Sequence, residues 1–126
     1  MDRVRFETHR GKQVLIVDGT NCGPRELLDL FDEVQRMVTH EPKGSVLTMG
    51  DFTGAEFNKE AATKMKLVAA FDRPHVKRSA LVGTDSLPDV FYRALQSFSA
   101  RHFPIFKTRE EALEWLLEGE ANRAAG

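Results

Sequence analysis

Three short polar runs hold residues from which a binding site can be assembled. They are Asp18, Thr20, Asn21 and Cys22; Asp51, Phe52, Thr53 and Gly54; and Thr84, Asp85 and Ser86. Each run follows an apolar stretch and precedes a helical pattern, so each is the exit of a strand and the approach to a helix. Backbone amides at three helix N-termini, beside short hydroxyl, carboxamide and carboxylate side chains, can receive an anion or a small polar ligand. The same residue types are also the usual caps and turn formers, because short oxygen side chains satisfy amides that lack a helical partner. Both readings stand for Thr53, whose hydroxyl either caps the following turn or faces a partner.

Other chemistry finds less support in the spacing. Cys22 lies just before a helix start, a position that lowers a thiol's pKa. None of His9, His40, His75 and His102 is placed to serve it, however, and these histidines lack the spacing of metal ligands. A single cysteine also excludes an internal disulfide and a thiolate-rich metal site. No catalytic residue, metal or cofactor is therefore expected.

The elements that must position the polar runs are legible from periodicity. Val4, Phe6 and Thr8 alternate with charged residues, and a Gly-containing turn at His9-Arg10-Gly11-Lys12 leads into the apolar run Val14 to Val17, which reads as a β-hairpin with a buried second strand. Leu27, Phe31, Val34 and Val38 form the inner stripe of a helix that opens at Pro24. Val46, Leu47 and Met49 mark the next strand. Asn58 is the expected cap of a second helix, carrying Ala61, Met65, Val68 and Ala69 inward as far as Asp72. A strand over Ser79 to Gly83 follows, then a third helix whose start is read as capping-box-like, with Ser86, Pro88 in the first turn and Asp89. Pro104 to Phe106 is a short strand, and Thr108 to Glu111 is an S/T-x-x-E box opening a fourth helix.

This order predicts a single α/β domain over residues 1–118, with an antiparallel hairpin and then a mostly parallel sheet with four helices. Residues 119–126 lack an apolar pattern and are expected to be a flexible tail. The 126 residues suit one domain, and a formal net charge of −1 gives no long-range field favouring nucleic acid or an anionic membrane. The basic stretch Arg73 to Arg78 lacks interleaved aromatics and reads as a solvated connection into a strand. No apolar run approaches the ~20 residues of a membrane span, and the first residues lack the core of a signal peptide, so a cytoplasmic location is expected.

The hairpin, the glycine after the second strand and the segment Asp51-Phe52-Thr53-Gly54-Ala55-Glu56-Phe57 together resemble the STAS superfamily, the SpoIIAA-like domains of anti-sigma-factor antagonists. Members commonly carry D-L-S-G-V-x-F here, followed by a serine that a partner kinase phosphorylates. The corresponding positions of this chain read Lys59-Glu60-Ala61-Ala62 and offer no hydroxyl. The resemblance therefore implies a stand-alone domain without the phosphorylation switch. For such members the resemblance implies no settled activity; the role expected of this chain is a non-catalytic regulatory or binding one, with a protein partner or small ligand at the loop edge around Asp51, Thr53 and Gly54. Glu60 is explained by the helix dipole.

Three alternatives remain at this level. Asp18, Asp51, Thr84 and Lys107 resemble the phosphoacceptor site of response-regulator receivers, in which carboxylates hold Mg²⁺ while Lys and Thr neutralise phosphoryl oxygens; receivers, however, use an acidic pair where this chain has Asp18-Gly19. An exposed apolar helix face would serve a homodimer. If Phe52, Phe57, Tyr92 and Phe103 were exposed together, they would mark a partner or lipid-binding groove.

Overall fold

The fold is seen in a computed structural model that describes residues 2–125, with side chains described as far as residue 118. In chain order the elements are β1 (Val4–His9), β2 (Lys12–Asp18), α1 (Pro24–Val38), β3 (Val46–Asp51), α2 (Lys59–Asp72), a 3₁₀ turn (Arg73–His75), β4 (Val76–Val82), α3 (Asp89–Ser99), β5 (Ile105–Phe106) and α4 (Arg109–Ala125). The strands form one five-stranded sheet in the order β1-β2-β3-β4-β5. The β1–β2 pair is antiparallel and every other pair is parallel. Arg10 and Gly11 both take positive φ, at 51° and 77°, as a two-residue hairpin turn matched to strand twist requires.

Both faces of the sheet are covered, which is why β2 and β3 read as unbroken apolar runs. Leu15 and Val17 point into a core shared with Leu27, Phe31, Val34, Met65, Val68 and Leu95 from α1, α2 and α3. Val14 and Ile16 point the other way, with Leu47, Met49, Ala80 and Val82, against Ala112, Leu116 and Leu117 of α4. At roughly 25 cal/mol per Å² of apolar surface, these two layers supply most of the favourable free energy of folding.

Local signals account for the helix starts. Asn58 Oδ1 accepts the Ala61 amide at 2.8 Å, and Thr108 Oγ1 accepts the Glu111 amide at 3.1 Å. Two boundaries differ from expectation. Strand β4 begins at Val76 instead of Ser79, since Val76 pairs with Val46 of β3. Helix α3 begins at Asp89 with Pro88 as its cap, and Ser86 donates its hydroxyl to the Ala55 carbonyl instead of capping the helix. Residues 119–125, where a tail is expected, continue α4. Among the described residues no helix is long and apolar enough to cross a membrane.

Candidate functional site

In a parallel sheet all strand C-termini leave from one edge, and the β2–β3 register sets Asp18 directly beside Asp51. Each aspartate opens an Asp-x-Thr turn. Asp18 Oδ1 accepts the Thr20 amide at 3.1 Å and the Thr20 hydroxyl at 2.6 Å. Asp51 Oδ1 accepts the Thr53 amide at 3.0 Å and the Thr53 hydroxyl at 2.7 Å. The two turns are built alike and stand side by side.

One cation serves both carboxylates. Arg109, the first residue of α4, donates from Nε to Asp51 Oδ2 at 2.6 Å, and its Nη2 lies 3.3 Å from Asp18 Oδ1. Burial works against the Asp51 carboxylate, but hydrogen bonds from Arg109 and Thr53 outweigh it and hold its pKa below the ordinary value. Asp18 shows the same balance: burial opposes its charge, while Thr20, Arg109 and Arg3 favour it and lower its pKa. On the strand's other side, Arg3 Nη1 donates to the carbonyls of Asp18 at 3.1 Å and Thr20 at 3.0 Å.

The three loops are laced together beyond the last ladder rungs. The Gly19 amide donates to the Asp51 carbonyl at 2.8 Å, Asn21 to Thr53 at 2.9 Å, Glu56 to Cys22 at 2.8 Å and Phe52 to Val82 at 2.8 Å. Gly83, at φ +67°, lies so close to Thr53 that a Cβ there would sit 2.3 Å from Oγ1 and 2.6 Å from the Thr53 nitrogen. The three predicted runs therefore share one rim. Asn21, Thr53, Gly54, Asp85 and Ser86 are exposed on it; Thr20 and Thr84 are half-buried.

Several expected site residues do something else. Phe52 is 2% exposed and packs on Phe31 and Phe57 at ring-centroid distances of 5.8 and 5.5 Å, so it belongs to the core. Phe103 is buried too, and Phe57 and Tyr92 are half-buried against the same core, so these four aromatics form no open groove. Cys22 is fully buried, and burial pushes its thiol pKa up, opposite to the effect expected of a helix start. Lys107 is exposed, and Arg109 fills the cationic position beside Asp51. Among the described residues no three His, Cys, Asp or Glu side chains gather closely enough to hold a metal ion.

Arg109 escaped sequence reasoning because it lies 58 residues from Asp51. A signal was nevertheless present: the Thr108 box starts α4 at the exit of β5, and in a parallel sheet that exit lies on the same rim as Asp18 and Asp51.

A second polar cluster lies toward the other end of the sheet. Asp72, at the end of α2, is 2% exposed, and its Oδ1 has no hydrogen-bond partner among the described residues. Burial pushes its pKa up to about 7, against the pull of Arg101 and His75. Arg101 donates to the Ala69 carbonyl at 2.9 Å and to the Ser79 hydroxyl, and its guanidinium carbon lies 4.4 Å from the centre of the Phe103 ring. Asp72 and Arg101 border a pocket of about 60 Å³ walled by Phe31, Phe52 and Phe103.

This architecture is that of a SpoIIAA-like α/β domain. A solved structure of an uncharacterized protein of the DUF3478 family with a SpoIIAA-like fold, from Shewanella loihica PV-4, superposes with a TM-score of 0.67 at 16% identity, over 90% of this chain and 91% of that one. At that identity the likeness shows the fold. No family model and no curated protein matches the chain.

Proposed function

We propose that this domain is a non-catalytic binding module whose rim, built from the loops after β2, β3 and β4, docks a protein partner. The observation that carries this reading is the occupancy of both rim carboxylates. Asp18 and Asp51 are engaged by Thr20, Thr53 and Arg109, so their charge goes into holding the loops together. An aspartate working as a phosphoacceptor needs an accessible oxygen, and the Asp51 side chain is only 9% exposed. The hydrogen bonds between neighbouring loops favour a continuous surface over a cleft, which suits a protein face better than a small ligand. Asn21, Thr53, Gly54, Asp85 and Ser86 would form its contact residues.

Charge reversal at exposed rim positions tests this. Glu56→Arg and Asp85→Arg leave the core untouched and should preserve the melting temperature. A protein that co-purifies with the wild-type chain should be lost from both variants and retained by Arg93→Gln, which lies off the rim. A partner that survives both rim variants overturns the reading.

A homodimer is the second reading. Leu67, Phe71 and Phe98 are 50%, 61% and 56% exposed on α2 and α3, and Lys66 Nζ reaches to within 4.9 Å of the Phe98 ring centre between these helices. Sedimentation at micromolar concentration tests it: Phe71→Glu should shift a dimer to monomer, and a wild-type chain that sediments as a monomer rejects it.

A further inference from the structure

The basic stretch Arg73 to Arg78 reads in sequence as a solvated connection, but the fold gives it company. Arg73 leads the 3₁₀ turn, while Lys77 and Arg78 open β4; Arg101 and His102 arrive from the segment before β5, and Trp115 from α4. These six residues line a surface groove of about 380 Å³, within the range of small-molecule sites. It lies at the start of β4, at the opposite end of the sheet from the rim. No acidic side chain lines it among the described residues.

The side chains of the groove are held in distinct ways. The Arg78 guanidinium lies over the Trp115 ring, 3.6 Å from its centre, and His102 meets the same ring edge-on at 6.5 Å. Neither Arg78 nor Arg73 forms an ion pair with a carboxylate among the described residues. Arg101 turns inward to Ala69 and Ser79 and faces Asp72, so its donors serve the interior. A chain of net charge −1 thus concentrates Arg73, Lys77, Arg78 and Arg101, from two stretches far apart in sequence, in one concavity. A ring-stacked guanidinium keeps its donor edges directed outward, and that planar fork matches phosphate oxygens.

We infer that this groove binds a small, multiply charged anion of the phosphate class, gripped by Arg78 and Arg73. Trp115 does not stack a nucleobase there, because Arg78 covers the ring and Phe106 packs on it at 5.7 Å. Recognition therefore runs through charge and oxygen geometry. The groove is also a compact pocket, unlike the extended basic stripe that tracks a polymer backbone.

Trp115 is the only tryptophan of the chain and lies against the proposed contact residue, so its emission reports binding directly. Pyrophosphate titrated into the full-length protein at constant ionic strength should change that emission saturably, at lower concentration than inorganic phosphate does. Arg73→Gln, at an exposed position, and Arg78→Lys, which keeps the charge and loses the fork, should each weaken the response by about tenfold. Arg93→Gln, whose arginine pairs with Asp89 at 2.6 Å outside the groove, should leave it unchanged. The inference is overturned if pyrophosphate gives no saturable change up to about 10 mM, far above the range of specific sites. Equal weakening in Arg93→Gln, which indicates general charge screening, also overturns it, as does saturable binding of a single-stranded oligonucleotide while pyrophosphate is silent.

Discussion

Arg109 bonds Asp51 across the end of the sheet, with Nε to Oδ2 at 2.6 Å, and so joins the first residue of α4 to the last residue of β3. Helix α4 covers one face of the sheet and α1, α2 and α3 cover the other, yet this contact fastens α4 to the edge from which all three polar loops leave. The same guanidinium reaches Asp18 on β2 at 3.3 Å. A cation shared by two neighbouring strand ends relieves the repulsion of adjacent carboxylates and lets both remain ionised in a partly buried place.

Thr53 separates stability from recognition. Its hydroxyl donates to Asp51 Oδ1 while the residue stays exposed on the rim. Thr53→Ala should cost about 1 kcal/mol in urea denaturation through that lost bond, and Thr53→Ser should restore most of it. If the rim docks a protein, Thr53→Ser keeps the stability and weakens binding through the missing methyl group, so measuring both quantities divides the two roles.

The fold was largely legible because its signals are local. The Val14 to Val17 run, the stripe of Leu27, Phe31, Val34 and Val38, and the caps at Asn58 and Thr108 each depend on neighbours within a few residues. What escaped depends on residues far apart. Strand β4 begins early because Val76 pairs with Val46 of β3, and the Ser86 hydroxyl goes to Ala55, 31 residues away. Phe52 offers an aromatic in a polar loop, which reads as a contact residue. Its ring nevertheless turns inward, because Phe31 and Phe57 provide an apolar seat that a flat sequence does not display.

The closeness of the third loop to the second makes Gly83 a sharp probe. A methyl there meets the backbone and hydroxyl of Thr53, whereas one at Gly11 meets nothing within 4 Å; both glycines have positive φ. Gly11→Ala should therefore cost only the backbone preference, about 1 kcal/mol. Gly83→Ala adds a collision and should cost at least about 3 kcal/mol, with a matching fall in the denaturation midpoint. Equal costs would mean that the two loops are not packed together.

Asp72 gives stability an unusual pH dependence. Its folded pKa is raised to about 7, above the ordinary carboxyl value, so the folded state prefers the neutral acid. That contribution is fully present below about pH 4, the unfolded value, and is lost as pH rises through the folded value. Arg101 and His75 face the carboxyl and oppose the trend without cancelling it. Asp18 and Asp51 behave oppositely: their lowered values stabilise the fold above the ordinary carboxyl range, and that stabilisation fades as pH falls through their folded values. Melting temperatures of the wild type should decline between about pH 5 and pH 8, while those of Asp72→Asn stay level over that window. Parallel curves for the two proteins would show that Asp72 does not carry the effect.

The occupancy of the rim carboxylates is most directly measured by carbon-detected NMR titration of Asp18 and Asp51 in the wild type and in Arg109→Gln. Both aspartates should titrate below the ordinary value of about 3.9 in the wild type. Both should rise in the variant, Asp51 by more, because its bond to Arg109 is the shorter. An Asp51 that titrates at or above the ordinary value in the wild type, or does not move when Arg109 is replaced, contradicts a rim whose charge is spent on holding its own loops.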